Sequence, residues 1–230
     1  MDKLVNTLAS VEIFKDLGTD ELAKIAKCCR RDSYPKGREF ISYQDSSRDV
    51  YFIESGRVGI TIFSQSGKEI GFRQLAAVDM LGDIAAIDGD ARSASAVSLS
   101  DVALIRISAS DFRELLVLMP SVNLRLLQRL TRLIRALSER VYEFSTLGVR
   151  NRIHAELLRL AKAHLTSASV ANIHPAPTHA AIASQISTHR EAVSREFSHL
   201  ASEGLLEKRG RNLIVHDVPR LEQMVREVES

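Results

Sequence analysis

Between Pro120 and about Ser145, the residues Leu127, Leu130, Ile134, Leu137, Val141 and Phe144 recur at alternating spacings of three and four. This is the signature of one apolar stripe along a helix, with Arg, Gln and Glu at the outer positions, and it reads as a coiled-coil seam. A single helix cannot bury such a stripe alone in water. The natural partner is the same stripe on a second copy, so the chain reads as a homodimer. Pro120 can open the helix, because the amide hydrogen it lacks would have no partner in the first turn. Periodicity alone leaves one alternative open, a core helix of a monomeric bundle. Either way the helix divides the chain into a β-rich part before it and a helical, basic part after it.

Before the helix, Val5, Leu8, Val11 and Phe14, then Leu17, Leu22, Ile25 and Ala26, suggest two short packing helices, the second opened by Thr19. Cys28 and Cys29, the only cysteines, sit at the end of that helical pattern. Adjacent cysteines suit neither a structural disulfide nor a metal cluster, and they read as packing residues. From Arg31 the period changes to two. Short strands follow at residues 40–43, 50–53, 57–63 and 69–72, separated by turns such as Pro35-Lys36-Gly37 and Glu54-Ser55-Gly56. A last strand pair, roughly residues 94–99 and 102–107, closes a small antiparallel roll before a helix beginning at Ser108.

One irregular stretch interrupts the roll, residues 81–94, with Gly82, Asp83, Ile84 and Ala85 at its start and Arg92, Ser93 and Ala94 at its end. A glycine followed by a turn of helix points backbone N–H groups at one spot, and an arginine and a serine return to it, which suits a phosphate. Asp83 beside it suits a sugar hydroxyl. The same residues also fit a surface loop in which Arg92 is solvated and paired to Asp88 or Asp90.

After the long helix, Gly148 marks a hinge. Ile153, Leu157, Leu160 and Ala161 form the inner face of a further helix, with Arg150, Arg152, Arg159 and Lys162 outside. Residues 166–177 read as a polar connection. Thr178 then caps a short helix, Ser187-Thr188 make a turn, and His189 to Ala201 form a second helix with Val193, Phe197 and Leu200 buried: a helix-turn-helix. Arg190, Glu191, Ser194 and Arg195 lie near its exposed start. Arginine suits guanine and a carboxylate suits the cytosine amino group, so this set can read G·C pairs in a major groove. The competing reading is a capping box that ties Glu191 to the helix start. Lys208, Arg209 and Arg211 surround a hairpin tip, a wing placed for phosphates, although a basic turn is often merely solvated.

Together, Val50-Tyr51-Phe52-Ile53-Glu54-Ser55-Gly56, the Gly82-Asp83 to Arg92-Ser93-Ala94 cassette, the long helix after Pro120 and the Arg190-Glu191 helix resemble the cyclic AMP receptor protein (CRP/FNR) family of bacterial transcription regulators. The resemblance covers nearly the whole chain. It implies an α+β fold: a cyclic-nucleotide-binding β-roll over residues 1–119, a long coiled-coil dimerisation helix over 120–147, and a C-terminal winged helix-turn-helix over 148–230. Gly82, Ser93 and Arg92 would then hold a cyclic phosphate and Asp83 a ribose hydroxyl, within a contact set that includes Ile84, Ala85 and Ala94. Ser138 matches the serine that reaches the base from the partner's helix. Leu137 replaces the family's usual threonine, and Asp83 its usual glutamate. Arg73 lies close to the base by the same resemblance, which opens the site to cyclic GMP as well as cyclic AMP. The DNA-binding set is Thr178, Thr188, His189, Arg190, Glu191, Ser194, Arg195, Arg209 and Arg211. The partners implied are double-stranded DNA carrying a near-palindromic site and RNA polymerase. In this family glycine commonly stands where Ser187 does, so the turn is expected to be strained.

Composition limits the rest. With no apolar run of membrane-spanning length and no secretory layout at the N-terminus, a cytoplasmic location with no membrane partner is expected. His179, His189 and His199 recur every ten residues, which is not the i, i+4 spacing of helical metal ligands. There is no Walker sequence, dinucleotide fingerprint or serine elbow, so no enzyme and no metal or redox cofactor is expected. Net charge is only +2, so affinity for DNA must come from local clusters. Three rivals remain: a regulator of the same fold with another effector or none, a cyclic-nucleotide module serving an enzyme or channel, and last an enzyme, for which no catalytic constellation is found.

Overall fold

The computed structural model describes residues 3–63 and 69–226, with backbone alone at 62–63 and 69–73. Two compact units emerge, residues 1–134 and 135–230. In the first, helices α1 (Lys3–Ser10) and α2 (Thr19–Lys27) precede strands β1 (Cys29–Tyr34), β2 (Glu39–Ile41), β3 (Val50–Ser55), β4 (Val58–Phe63), β5 (Glu69–Leu75) and β6 (Met80–Leu81). Helix α3 (Asp83–Asp88), strands β7 (Ser95–Ser98) and β8 (Val102–Ile107) and helix α4 (Ala109–Leu118) follow. The strands form two antiparallel sheets, ordered β1-β8-β3-β6 and β2-β7-β4-β5.

Strand β3 shows why the roll forms here. Side chains alternate between the two faces of a strand, yet Val50, Tyr51, Phe52 and Ile53 are all buried. Tyr51 and Ile53 join Ile41, Val58, Leu75, Ala96 and Leu104 in a core drawn from both sheets. Val50 and Phe52 face the other way, into a second core with Leu8, Phe14, Ile25, Phe112, Val122 and Leu126. The β-rich unit is therefore sealed by its own helices and by the first turns of the long helix.

The expected closing strand pair is corrected. β7 pairs with β2 and β4, and β8 with β1 and β3, so the two strands lie in different sheets. The connection between them bonds to other turns instead: Asp101 accepts from the Lys36 amide at 2.9 Å, and Ser100 accepts from the Arg57 amide at 3.0 Å. The cysteines also part company. Cys28 caps α2 and is exposed, whereas Cys29 begins β1, and burial pushes its thiol up to about 12.

Helix α5 (Pro120–Thr146) runs from the first unit into the second. Val122 and Leu126 are buried against the first unit's core and Leu130 packs there too, whereas Leu127, Ile134, Leu137 and Val141 remain 54–64% exposed. Among the described residues, the buried cores do not include these four side chains.

The second unit continues through α6 (Val149–Ala163), β9 (Ala171–Ile173), α7 (His179–Gln185), α8 (Arg190–Ser202), β10 (Leu206–Arg209), β11 (Asn212–Val215) and α9 (Val218–Arg226). β9 lies in the segment expected to be a connection and pairs with β11, giving a three-stranded sheet. Three residues are too few to carry a period. The last turns of α5 are tied down by charge: Arg140 donates to Glu156 at 3.2 Å and to the Gln185 carbonyl at 3.1 Å, and Arg159 donates to Glu143 at 2.6 Å. Arg159 is thus engaged rather than outward in solvent. Gly148 caps α6 with φ −63°, a conformation open to any residue.

Ser187 has φ 52°, the left-handed conformation expected of the position where the family places glycine. A side chain there costs on the order of 1 kcal/mol, partly offset by the extra chain entropy of an unfolded glycine. Ser187→Gly should therefore raise stability by about 0.5–1 kcal/mol, visible as a higher urea midpoint of the C-terminal unit. A lower midpoint would mean that the serine side chain contributes more than its strain costs.

Candidate functional site

Strand β6 is followed by Gly82, which adopts φ 86°, ψ 0° and caps α3. A Cβ at this glycine would lie 2.6 Å from the Asp49 carbonyl oxygen and 2.7 Å from Arg92 Nη1, so only glycine fits. After α3 the chain returns through Arg92, whose backbone is paired to the 44–45 loop at 2.9 Å on both sides. The Arg92 side chain is 2% exposed. Its Nε donates to Ser47 Oγ at 3.1 Å, Nη1 to the Gly82 carbonyl at 3.2 Å and Nη2 to the Asp49 carbonyl at 2.8 Å. The solvated-loop reading fails, and Asp88 instead accepts from the Asp90 amide at 2.9 Å. A guanidinium has five N–H groups, and three are used here. Burial holds Arg92 below its ordinary range, with Tyr51, Asp49 and Asp45 acting in the opposite sense. Burial likewise pushes the Tyr51 phenol up to about 12, so the group beside the guanidinium stays neutral.

Around this clip sits a wider network. The Asp49 carboxylate accepts from Arg106 Nη1 at 2.7 Å, and Arg106 Nε donates to Asp32 at 2.7 Å. Asp83 is 7% exposed and faces Arg129 of α5, with 3.6 Å between Oδ2 and Nε. Arg129 also donates from Nη2 to the Met80 carbonyl at 3.0 Å, while its Nε is buried without a hydrogen-bond partner. Arg129 was not legible in the sequence, where it stands as one more polar residue flanking the apolar stripe. Ala85 is buried, Ile84 and Ser93 are exposed, and Ala94 is half-buried. Arg73 lies opposite Ile60 in the β4–β5 ladder, with its side chain outside the described residues. Leu137 and Ser138 belong to the other unit and are exposed on α5.

In the C-terminal unit, Thr178 Oγ1 accepts from the Ala181 amide at 3.1 Å, capping α7 as expected. Helix α8 begins after His189, whose side chain makes no capping bond, and Glu191 is exposed; the capping-box reading fails. Arg190, Glu191 and Arg195 are exposed and Ser194 half-buried along one face, opposite the buried Val193, Phe197 and Leu200. Thr188 in the turn is half-buried. At the wing tip Arg211 is exposed, whereas Arg209 is paired to Glu207, which also holds His216 at 2.9 Å. His154 was missed entirely. It is 2% exposed, and its Nε2 lies 2.6 Å from Glu196 Oε1, an oxygen that also accepts from Arg150 at 3.1 Å. The recognition-type helix is thereby fixed to α6 from behind.

Two domain families account for this layout: the cyclic nucleotide-binding domain matches residues 31–117, and the Crp-like helix-turn-helix domain matches residues 151–224. The chain belongs to the CRP/FNR family. It is 26% identical to the cAMP-activated global transcriptional regulator CRP of Salmonella typhimurium, over 82% of this chain and 90% of that protein. It is 24% identical to the CRP-like cAMP-activated global transcriptional regulator of Mycobacterium tuberculosis, over 95% of this chain and 98% of that one. The crystal structure of Thermus thermophilus catabolite activator protein superposes with a TM-score of 0.56 at 26% identity, over 94% of this chain and 99% of that chain. Like these members of the CRP/FNR family, the chain joins a β-roll to a helix-turn-helix through one long helix. Among the described residues no helix is long and apolar enough to cross a membrane, and no group of three metal-ligating side chains is present.

Proposed function

We propose that this CRP/FNR-family regulator binds a cyclic nucleotide at the Gly82–Ala94 cassette and, as a homodimer, binds a near-palindromic DNA site in response. One observation carries the effector reading: the buried Arg92 guanidinium packed against a glycine that tolerates no side chain. Arg92 keeps two N–H groups beyond its protein bonds, and Ser93 offers a hydroxyl next to it; together they suit the oxygens of a cyclic phosphate. The Nε of Arg129, ion-paired with Asp83 at 3.6 Å but without a hydrogen bond, supports a further polar group of the effector at that end. Asp83 would accept from a ribose hydroxyl while Arg129 balances its charge. Seam residues Leu137 and Ser138 would approach from the partner's helix, so that effector binding biases how the two long helices meet. Arg190, Glu191 and Arg195 would then read base edges in successive grooves, with Arg211 and Lys208 on phosphates. Residues 1–119, 120–147 and 148–230 divide these three tasks.

A leucine at 137 gives the base shape without a hydroxyl, and discrimination between bases should be weak. Calorimetric titration should show cyclic AMP and cyclic GMP both binding, within about 2 kcal/mol of each other, the value of roughly one polar contact. In the presence of the nucleotide, selection from random DNA should return a near-palindrome with half-sites about one helical turn apart. A thousandfold preference for cyclic AMP would overturn the weak-discrimination argument. Binding of neither nucleotide would favour a same-fold regulator with another effector, a reading to which the engagement of Asp83 by Arg129 lends weight.

A further inference from the structure

We propose that His179 is a proton-coupled DNA contact: together with Lys208 and Arg190 it holds a backbone phosphate, and its imidazole takes up a proton as DNA binds. This rests on the DNA-binding reading above and extends it to a residue outside the expected set. His179 is the first residue of α7 and is half-buried, its ring edge-on to Phe197 with centroids 4.9 Å apart. It lines a cavity of about 180 Å³ with Pro177, Phe197, Ser198 and Lys208. The cavity lies where α7, α8 and the wing meet. The charged groups acting on the ring are Lys208, exposed on β10, and Arg190, exposed at the start of α8; Phe197 closes it with an apolar edge.

His179 on α7 and Lys208 on β10 thus line one cavity, Arg190 at the start of α8 acts on the same ring, and among the described residues the charges acting on the ring are both positive. Burial first, then Lys208 and Arg190, hold His179 below its ordinary range, so in the free protein it is neutral at pH 7. A phosphate does not relieve the burial, but it offsets the two cations and accepts a charge-assisted hydrogen bond from the imidazolium, which together outweigh it. The ring's affinity for its proton is therefore higher in the complex than in the free protein. Affinity for DNA must then rise as pH falls between the two values, by up to about tenfold per pH unit for each coupled proton.

The test uses the full-length protein with cyclic AMP and a selected DNA fragment, followed by fluorescence anisotropy from pH 8 to pH 6 at fixed salt. Wild type should gain affinity several-fold per unit on acidification, and its salt dependence should steepen by about one phosphate contact per subunit. His179→Gln should flatten both trends and bind several-fold more weakly than wild type at pH 6. His179→Lys, with a permanent charge, should bind tightly at pH 8 with little further gain at pH 6. His189→Gln, at the exposed cap of α8, serves as the control for the other imidazole at the start of that helix. DNA binding by His179→Gln with the wild-type pH slope would overturn this proposal alone. Absence of DNA binding at every pH would overturn the transcription-factor reading with it.

Discussion

Arg92→Ala should weaken cyclic AMP binding at least a hundredfold, with ligand-free DNA affinity unchanged. Hydrogen bonds to a charged group contribute about 1.5–3 kcal/mol each, and the loss of two from a phosphate exceeds the roughly 2.7 kcal/mol that a hundredfold represents. Alanine also removes the clip between Ser47, Gly82 and Asp49, leaving the Gly82 carbonyl with the Ala86 amide alone and taking the arginine donor from the other two oxygens. Part of the effect is therefore conformational, and thermal unfolding of the β-roll should fall by a few degrees. Arg92→Lys separates the two contributions. It keeps the charge but cannot span three acceptors and still reach a ligand, so it should recover stability better than binding. If ligand-bound and ligand-free DNA affinity fell together, the arginine would be a structural residue of an effector-independent regulator.

The sequence showed this cassette because its chemistry is local: a glycine, a short helix and an arginine ten residues later. What it hid was relational. That Arg92 bonds the 47–49 segment depends on the return of the chain between two sheets, and that Asp83 faces Arg129 depends on the long helix crossing the roll. Strand period likewise disclosed the roll but not its partition, because β7 and β8 are amphipathic toward the same core from opposite sides. Ser187 was legible because backbone conformation constrains one residue at a time. Val78, a β-branched residue at φ 71°, was not; the pairing of the Val78 amide with Ile53 at 2.9 Å, which holds it there, is a tertiary contact. His154 and Glu196 stayed hidden for the same reason, each reading as an ordinary polar helical residue until the helices are packed.

The apolar stripe on α5 was the most legible feature of all, and it supplies the largest expected effect. Val122, Leu126 and Leu130 turn toward the chain's own core, but Leu127, Ile134, Leu137 and Val141 form a second stripe that stays exposed. In a parallel pair of α5 helices Ile134 meets its own symmetry mate, so Ile134→Glu changes both sides of one contact. Each copy loses about 1.5–3 kcal/mol of side-chain burial, and each carboxylate must then either remain charged beside its mate or take up a proton. The sum exceeds about 4 kcal/mol, so the dimer dissociation constant should rise at least a thousandfold. Sedimentation at micromolar concentration should show monomer for the variant and dimer for wild type. DNA affinity should collapse with it, because each monomer holds one half-site alone, while the unfolding midpoint of the β-roll stays near wild type, since the substituted side chain lies outside that core. A variant that sediments as an unchanged dimer would show that the exposed stripe on α5 is not where the two copies meet.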